Sequence, residues 1–481
     1  MSLIMRYIGA RVIPSFVSRK SCLGITKPRI FILSSSMLAA TNTSHSDVIH
    51  SKQSSVDILL NRPWIQDLIQ LLKIIVRTIQ MTIYVTPLIV TAPFALYITK
   101  LQKPWLNLLI LTVQECGPVY VKLGQWASTR RDLFPPTLCD HLSQLQRQAS
   151  VHSWSHTNSI LEKYGFDNFE QLSSTPIGSG CCAQVYKAKI NSTPFYNKEV
   201  AIKILHPDIK NKFLRDLTVL RAMVNSLSWV FPQLQWLSIK ESLEEFAHLM
   251  NQQADLRNEA QNLKRFCENF KDDTNVIFPK PLFCKEDILI ETYEPGVPIG
   301  NLIQDIDFIA HDRRQELASK GINMFLKMVF SHNFVHADLH PGNILVREEQ
   351  LVILDPGLTA TLSKRDKRNF VSVFSAVVKG DGVTVGNEIL QQSEQECENP
   401  EQFVLEIESI VLQFRSKLSF AKVNVSQLLT SVFDVFRKHH VKLDPNFTSV
   451  ILSIMVIEGL GKTLDPDVDL LRAATPFLLR T

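Results

Sequence analysis

No two of the chain's eight cysteines form a C-x-x-C pair, and no Cys/His cluster carries zinc-ligand spacing. That excludes a zinc site of the kind a sequence can announce. It leaves the thiols as reduced, mostly buried side chains, which fits a reducing compartment. Strong charge of either sign is also missing. The net charge is +4 over 481 residues, and no stretch alternates basic with aromatic side chains, so nucleic acid is not an expected partner. No internal repeat is visible, and residues 1–46 contain neither Asp nor Glu.

What is present is ordinary globular material: 45% of residues are hydrophobic and 20% charged. This length holds two or three domain-sized units, or one large fold with extensions. The acid-free leader carries Arg6, Arg11, Arg19, Lys20, Lys27 and Arg29 among many Ser and Thr, with Ile4, Ile8, Val12 and Phe16 at near-helical spacing. That is the composition of a mitochondrial transit peptide. Next comes an uncharged run from Thr78 to Thr99, flanked by Arg77 and Lys100 and interrupted by Pro87 and Pro93. It is long enough to cross a bilayer; the competing reading is a buried or membrane-surface helix.

Residues 104–165 have helical periodicity with a break at Phe134-Pro135-Pro136. From 173 the period changes. Val185–Ile190 and Glu199–Ile204 read as strands around a polar turn, residues 208–270 as helix, and Val276–Phe283 with Asp287–Tyr293 as a second strand pair. A helix over Arg313–His332 precedes two short strands, Ile344–Val346 and Leu351–Leu354, and everything after about Lys364 reads as helix. A strand-rich half followed by a helical half predicts an α+β protein with two lobes and a cleft between them.

The strongest motif is His336-Ala-Asp338-Leu-His-Pro-Gly-Asn343. Phosphoryl transfer needs a carboxylate near the attacking hydroxyl and oxygen ligands for Mg²⁺. Asp338 suits the base or orienting role and Asn343 the metal, in the H-x-D-x-x-x-x-N spacing of kinase catalytic loops. Twelve residues on, an apolar strand ends in Asp355-Pro356-Gly357, placing a second metal-binding carboxylate at a strand end. Proline stands where kinases usually have Phe, which restricts the local backbone. Upstream, Gly178-Ser179-Gly180-Cys-Cys-Ala183-Gln-Val185 forms a glycine-rich loop able to approach phosphates. It precedes Val200-Ala-Ile-Lys203, where Lys203 would contact the α and β phosphates. Glu259 is the best candidate for the carboxylate that holds this lysine, ahead of Glu244 and Glu245. Cys181 and Cys182 flank the loop, but nothing around them signals a lowered thiol pKa.

Taken together, these motifs resemble the UbiB/aarF/ABC1 (ADCK) atypical kinases over roughly residues 105–465, and the Gly-Ser-Gly-Cys loop is similar to the second aarF-domain-containing subgroup of animal mitochondria. The resemblance implies a protein-kinase-like fold with an N-terminal helical extension over the cleft and a helical C-terminal lobe. Lys122-Leu-Gly-Gln125 matches the family's K-x-G-Q helix, and the resemblance points Lys122 and Gln125 at the nucleotide site. Glu458–Pro466 looks like the family's helical tail. Gln253-Ala-Asp255 departs from the family's E-x-D element by losing one charge.

The expected organisation is a leader (1–46), a linker with the apolar segment (47–103, with 78–99 apolar), the K-x-G-Q extension (104–172), an N-lobe (173–298) and a C-lobe (299–481). The expected function is a kinase or ATPase binding ATP and Mg²⁺, supporting coenzyme Q or lipid metabolism at the mitochondrial inner membrane. Its partners would be ATP, a small or lipid-like quinone precursor, membrane lipids and coenzyme Q biosynthetic proteins. Pro356 and Gln253 favour an alternative, a catalytically weak pseudokinase scaffold. A small-molecule phosphotransferase of the antibiotic-kinase type shares the Asp338–Asn343 spacing.

Overall fold

The computed structural model describes residues 63–131, 133–146, 151–166, 169–170, 172–190, 198–230, 239–393, 397–418 and 425–478. The transit-like leader lies outside these residues. The chain divides into two compact units, Met1–Trp105 and Leu106–Thr481.

In the first unit, helix α1 (Pro63–Tyr97) runs through Pro87 and Pro93 without ending. The stretch of it apolar enough to cross a membrane is Leu68–Ala95. It therefore begins earlier than the uncharged run and takes in Lys73 and Arg77. Ile75, Val76, Ile79, Ile83, Val90 and Phe94 all lie exposed along it. Helix α2 (Thr99–Cys116) follows.

After α2, whose residues from Leu106 on already belong to the second unit, come α3 (Pro118–Thr129), α4 (Pro136–Leu142) and α5 (Trp154–Lys163). Proline at the first position of α3 and of α4 fits a site that needs no backbone donor. A sheet follows, ordered β1-β3-β4-β7-β6 with β2 on β3: β1 (Phe169–Glu170), β2 (Gly178–Ser179), β3 (Ala183–Ile190), β4 (Glu199–Leu205), β6 (Pro281–Cys284) and β7 (Ile288–Thr292). Strand alternation sorts its two faces. Val200, Ile202 and Ile204 join Tyr186, Ala188, Ile288, Ile290 and Leu161 of α5 in one core. Lys203 therefore points to the other face, opposite Val185 on one side and Leu289 on the other.

Three helices lie between β4 and β6 in sequence: α6 (Ile209–Val230), α7 (Ile239–Gln253) and α8 (Leu256–Asn269). Val276–Phe283 does not form one strand. β5 (Val276–Ile277) leaves to run parallel to β11 (Gln350–Ile353), and only β6 pairs with β7. The break falls at Pro279 and Pro281, which cannot donate to a ladder.

The C-lobe sheet is ordered β5-β11-β10-β8, with β8 (Val297–Pro298) and β10 (Ile344–Arg347). A separate pair joins β9 (Val335–His336) to β12 (Thr359–Ala360). Helices α9 (Ile299–Gln304) and α10 (His311–Leu326) precede β9. The π turn Lys327–Ser331 ends the segment read as one helix to His332. Helices α11 (Lys364–Lys379), α12 (Gly382–Leu390), α13 (Pro400–Leu418), α14 (Val425–Lys438), α15 (Pro445–Leu464) and α16 (Leu470–Leu478) complete the lobe. Glu458 of α15 is 1% exposed. It accepts hydrogen bonds from the Val425 N–H (2.6 Å) and Ser426 Oγ (2.5 Å), satisfying the start of α14 with a carboxylate from a neighbouring helix.

Candidate active site

Lys203 Nζ donates to both oxygens of Glu259 at 2.8 Å and to Asp355 Oδ1 at 2.6 Å. Glu259 reaches it because α8 is amphipathic: Leu256, Glu259, Ala260, Leu263 and Phe266 share its buried face. Burial alone would lower the Lys203 pKa, but Asp355 and Glu259 outweigh it and raise it. Glu259 is pushed up to about 7, chiefly by burial. Asp355 sits at the cleft, with its side chain 50% exposed. Burial would raise its pKa, yet Lys203 holds it well below the ordinary carboxylate range. The alternatives to Glu259 have other partners: Glu244 pairs with Arg221 and Glu245 with Arg130.

Asp355 has φ of +53°, a left-handed conformation that costs a non-glycine residue of order 1 kcal/mol. Two contacts brace it. Asn262 Nδ2 donates to the Pro356 carbonyl at 2.8 Å. His336, fully buried, accepts from the Asp338 N–H at Nδ1 (3.1 Å) and donates from Nε2 to the Leu354 carbonyl (3.0 Å). One imidazole thus ties the loop bearing Asp338 to the strand end bearing Asp355, and burial lowers its pKa so that it stays neutral. Asn343 Nδ2 donates to the Asp338 carbonyl at 3.0 Å, which leaves Oδ1 as the atom to face a cation. Among the described residues, no side chain hydrogen-bonds the Asp338 carboxylate.

The glycine loop is the β2–β3 hairpin, closed by Gly180 N–H to the Ala183 carbonyl at 2.8 Å. A methyl added at Gly178 would meet nothing within 4 Å. Ser179 Oγ is buried with no hydrogen-bond partner. A loop with room above its glycines and an orphaned hydroxyl fits a phosphate group. The oxygen donors of Asp355 and Asn343 suit a hard divalent cation.

The K-x-G-Q segment of α3 divides its labour. Lys122 is half-buried near both loops: desolvation opposes its charge, but Asp338, Cys182, Cys181 and Asp355 raise its pKa. Gln125 faces elsewhere and donates to the Leu145 carbonyl at 2.9 Å. Gly124 lies between them because Leu145 Cδ1 would stand 2.4 Å from any Cβ there. Arg130, at the end of α3, binds both oxygens of Glu245 on α7 at 3.0 Å.

Gln253 lies 3.8 Å from Cys182 Sγ, and Asp255 caps α8 by accepting from the Arg257 N–H. Neither joins the Lys203 cluster. Burial raises both thiols, Cys182 to about 12, the opposite of the lowered pKa that marks a reactive cysteine. Sequence reasoning missed Glu291 on β7. Its pKa is pushed up to about 8 by burial and then by Glu259, and its Oε2 has no partner. An acid inside the apolar run Ile288-Leu-Ile-Glu-Thr was the available signal.

A β-rich lobe carrying a glycine hairpin and a paired lysine, over a helical lobe carrying H-x-D-x-x-x-x-N and D-x-G, defines a protein-kinase-like protein. Residues 144–388 match the ABC1 atypical kinase-like domain, and residues 407–469 the UbiB helical domain. The chain is 32% identical to a probable serine/threonine-protein kinase of Dictyostelium discoideum, covering 86% of this chain and 70% of the relative. It is 31% identical to a mitochondrial ABC1 family protein of Schizosaccharomyces pombe (85% and 71%). It is also 30% identical to the probable protein kinase UbiB of Vibrio vulnificus (78% and 70%). The chain belongs to the ABC1/UbiB atypical kinase family.

Proposed function

We propose that the cleft binds ATP with Mg²⁺ and transfers or hydrolyses its terminal phosphate, serving coenzyme Q or lipid metabolism at the mitochondrial inner membrane. The observation that carries this reading is the Lys203–Glu259–Asp355 cluster, set beside Asp338, Asn343 and the open glycine hairpin. Lys203 would hold the α and β phosphates, and Ser179 would donate to a phosphate oxygen. Asp338 would accept the proton of the attacking hydroxyl. Magnesium, held by Asp355 and Asn343, would neutralise phosphate charge. Lys122 of α3, half-buried beside Asp338 and Asp355, would narrow the approach of a polypeptide, which favours a small or lipid-like acceptor such as a quinone precursor, or water. The mitochondrial address is supported by the composition of the leader and by the relative from Schizosaccharomyces pombe. We assign the exposed apolar side chains of α1 to membrane lipid, residues 104–172 to the K-x-G-Q extension, 173–298 to the N-lobe and 299–481 to the C-lobe.

The test is nucleotide binding and ATP turnover by the protein, with and without Mg²⁺, anionic lipid and quinone-like phenols, beside Asp355→Asn. Mg²⁺-dependent binding and turnover that both collapse in the variant are expected. Turnover absent under every condition, with metal-independent binding or none, would leave the pseudokinase scaffold.

A further inference from the structure

The glycine hairpin is held from behind by a polar chain whose hydrogens can be assigned in only one direction. It starts at Gln184, which is fully buried. The His152 N–H donates to Gln184 Oε1 at 3.0 Å, and Gln184 Nε2 donates to the His152 carbonyl at 3.3 Å. Backbone groups cannot exchange donor for acceptor, so the orientation of this amide is fixed. Gln184 Nε2 also donates to the Tyr186 hydroxyl. The tyrosine hydrogen must then go to Thr157 Oγ1 (2.8 Å), and the threonine hydrogen to His152 Nε2 (2.9 Å). His152 therefore carries its proton on Nδ1, which faces His206 Nδ1 at 2.7 Å. His206 accepts there and must be protonated at Nε2. That atom lies 2.8 Å from the Gly180 carbonyl, an obligate acceptor. The tautomer demanded from the Gln184 end is the one demanded from the Gly180 end.

Thr157 is fully buried and Tyr186 1% exposed, so a reversed chain would leave the buried Tyr186 hydrogen without an acceptor and set the Nε2 lone pair of His206 against the Gly180 carbonyl. Burial, with neighbouring His206 and His156, lowers His152 to about 4; burial also lowers His206, against the raising effect of its bond to the Gly180 carbonyl and with Lys212 and His156 adding to the lowering. Both rings are neutral at neutral pH. His206 grips the hairpin a second time through its own N–H, which donates to the Cys182 carbonyl at 2.8 Å.

We infer that His206 is a positioning residue for the nucleotide loop, holding the Gly180 carbonyl through a single tautomer that His152 selects. This rests on the nucleotide reading above. With the Gly180 carbonyl tied back to His206 and the Gly180 N–H closing the turn onto Ala183, the loop is held in one position instead of collapsing over the cleft.

The test uses the full chain and three readouts. The first is the imidazole ¹⁵N–¹H correlation spectrum of the nucleotide-free protein. The second is amide-exchange protection over residues 177–185. The third is the Kd for Mg–ATP, with KM and kcat where turnover is found. His206→Leu removes the donor and His206→Gln restores one near the Nε2 position. Expected are a single Nε2–H tautomer for His206 and protection about 5-fold lower in His206→Leu, the loss of one hydrogen bond. Kd and KM should rise about 5-fold with kcat little changed, and His206→Gln should recover most of each. An Nδ1–H or mixed tautomer, or unchanged loop protection in His206→Leu, overturns the inference. So does His206→Gln behaving like His206→Leu. Failure of the wild-type protein to bind nucleotide would sink the functional reading alone, because the spectrum and the exchange are read without ligand. If His206→Leu does not fold, the wild-type spectrum and His206→Gln still decide.

Discussion

At the scale of single residues, the cleft separates groups that the fold needs from groups it merely tolerates. Gly178 has ordinary backbone geometry and empty space where a side chain would go. Gly178→Ala should therefore leave the melting temperature within about 2 °C while weakening Mg–ATP binding about tenfold. Equal loss of stability and affinity would show that the glycine serves folding instead. Glu291 makes the opposite case. An unfolded glutamate titrates near ~4.3, and in the folded chain the carboxyl is pushed up to about 8. The raised folded value means its favourable term is complete below the unfolded pKa and is lost as pH rises through the folded one. Wild-type stability should fall between about pH 5 and pH 8 relative to Glu291→Gln. Melting curves for the two proteins that stay parallel from pH 5 to pH 9 would refute this.

At the scale of elements, α3 is pinned by features invisible to hydrophobic periodicity. Gly124 admits the Leu145 side chain, Gln125 binds the backbone beside it, and Arg130 clamps Glu245. Gly124→Ala should cost about 1–3 kcal/mol through overpacking. A melting temperature unchanged by that substitution would mean that Leu145 moves aside freely. The contact of Lys203 with Glu259 and Asp355 was legible, because the lysine and aspartate stand at motif spacing and the glutamate on an amphipathic helix face. Gln125 was assigned to the nucleotide by resemblance, but only the packed structure reveals its bond to Leu145. The His152–His206 contact was equally hidden, since its members lie far apart in sequence and neither has a motif. The split of Val276–Phe283 between two sheets was legible only in the prolines that divide it.

At the scale of the whole molecule, the two units differ in how they meet solvent. The second carries the family's kinase-like and helical domains on a conventional core, whereas α1 in the first leaves a long series of Ile, Val and Leu side chains exposed. The full chain should float with vesicles containing anionic lipid, and residues 106–481 should remain in the aqueous fraction. Co-flotation of the shorter chain to the same extent would move the membrane-binding surface into the second unit. The Pro445–Leu464 helix is equally apolar but half buried, and it packs among the C-lobe helices as a core element.

The Asp355-Pro356-Gly357 turn has a consequence for pharmacology. In a D-F-G turn the packing of the middle aromatic sets active and inactive states, and a ligand could fill the hollow left when that ring moves. Here that position is a buried proline whose carbonyl is held by Asn262, and the preceding aspartate is fixed in a left-handed conformation. A compound that needs such a hollow has no ring to displace here, so a selective ligand would draw instead on the charged groups that act on Asp355, Lys122 and Glu291 among them.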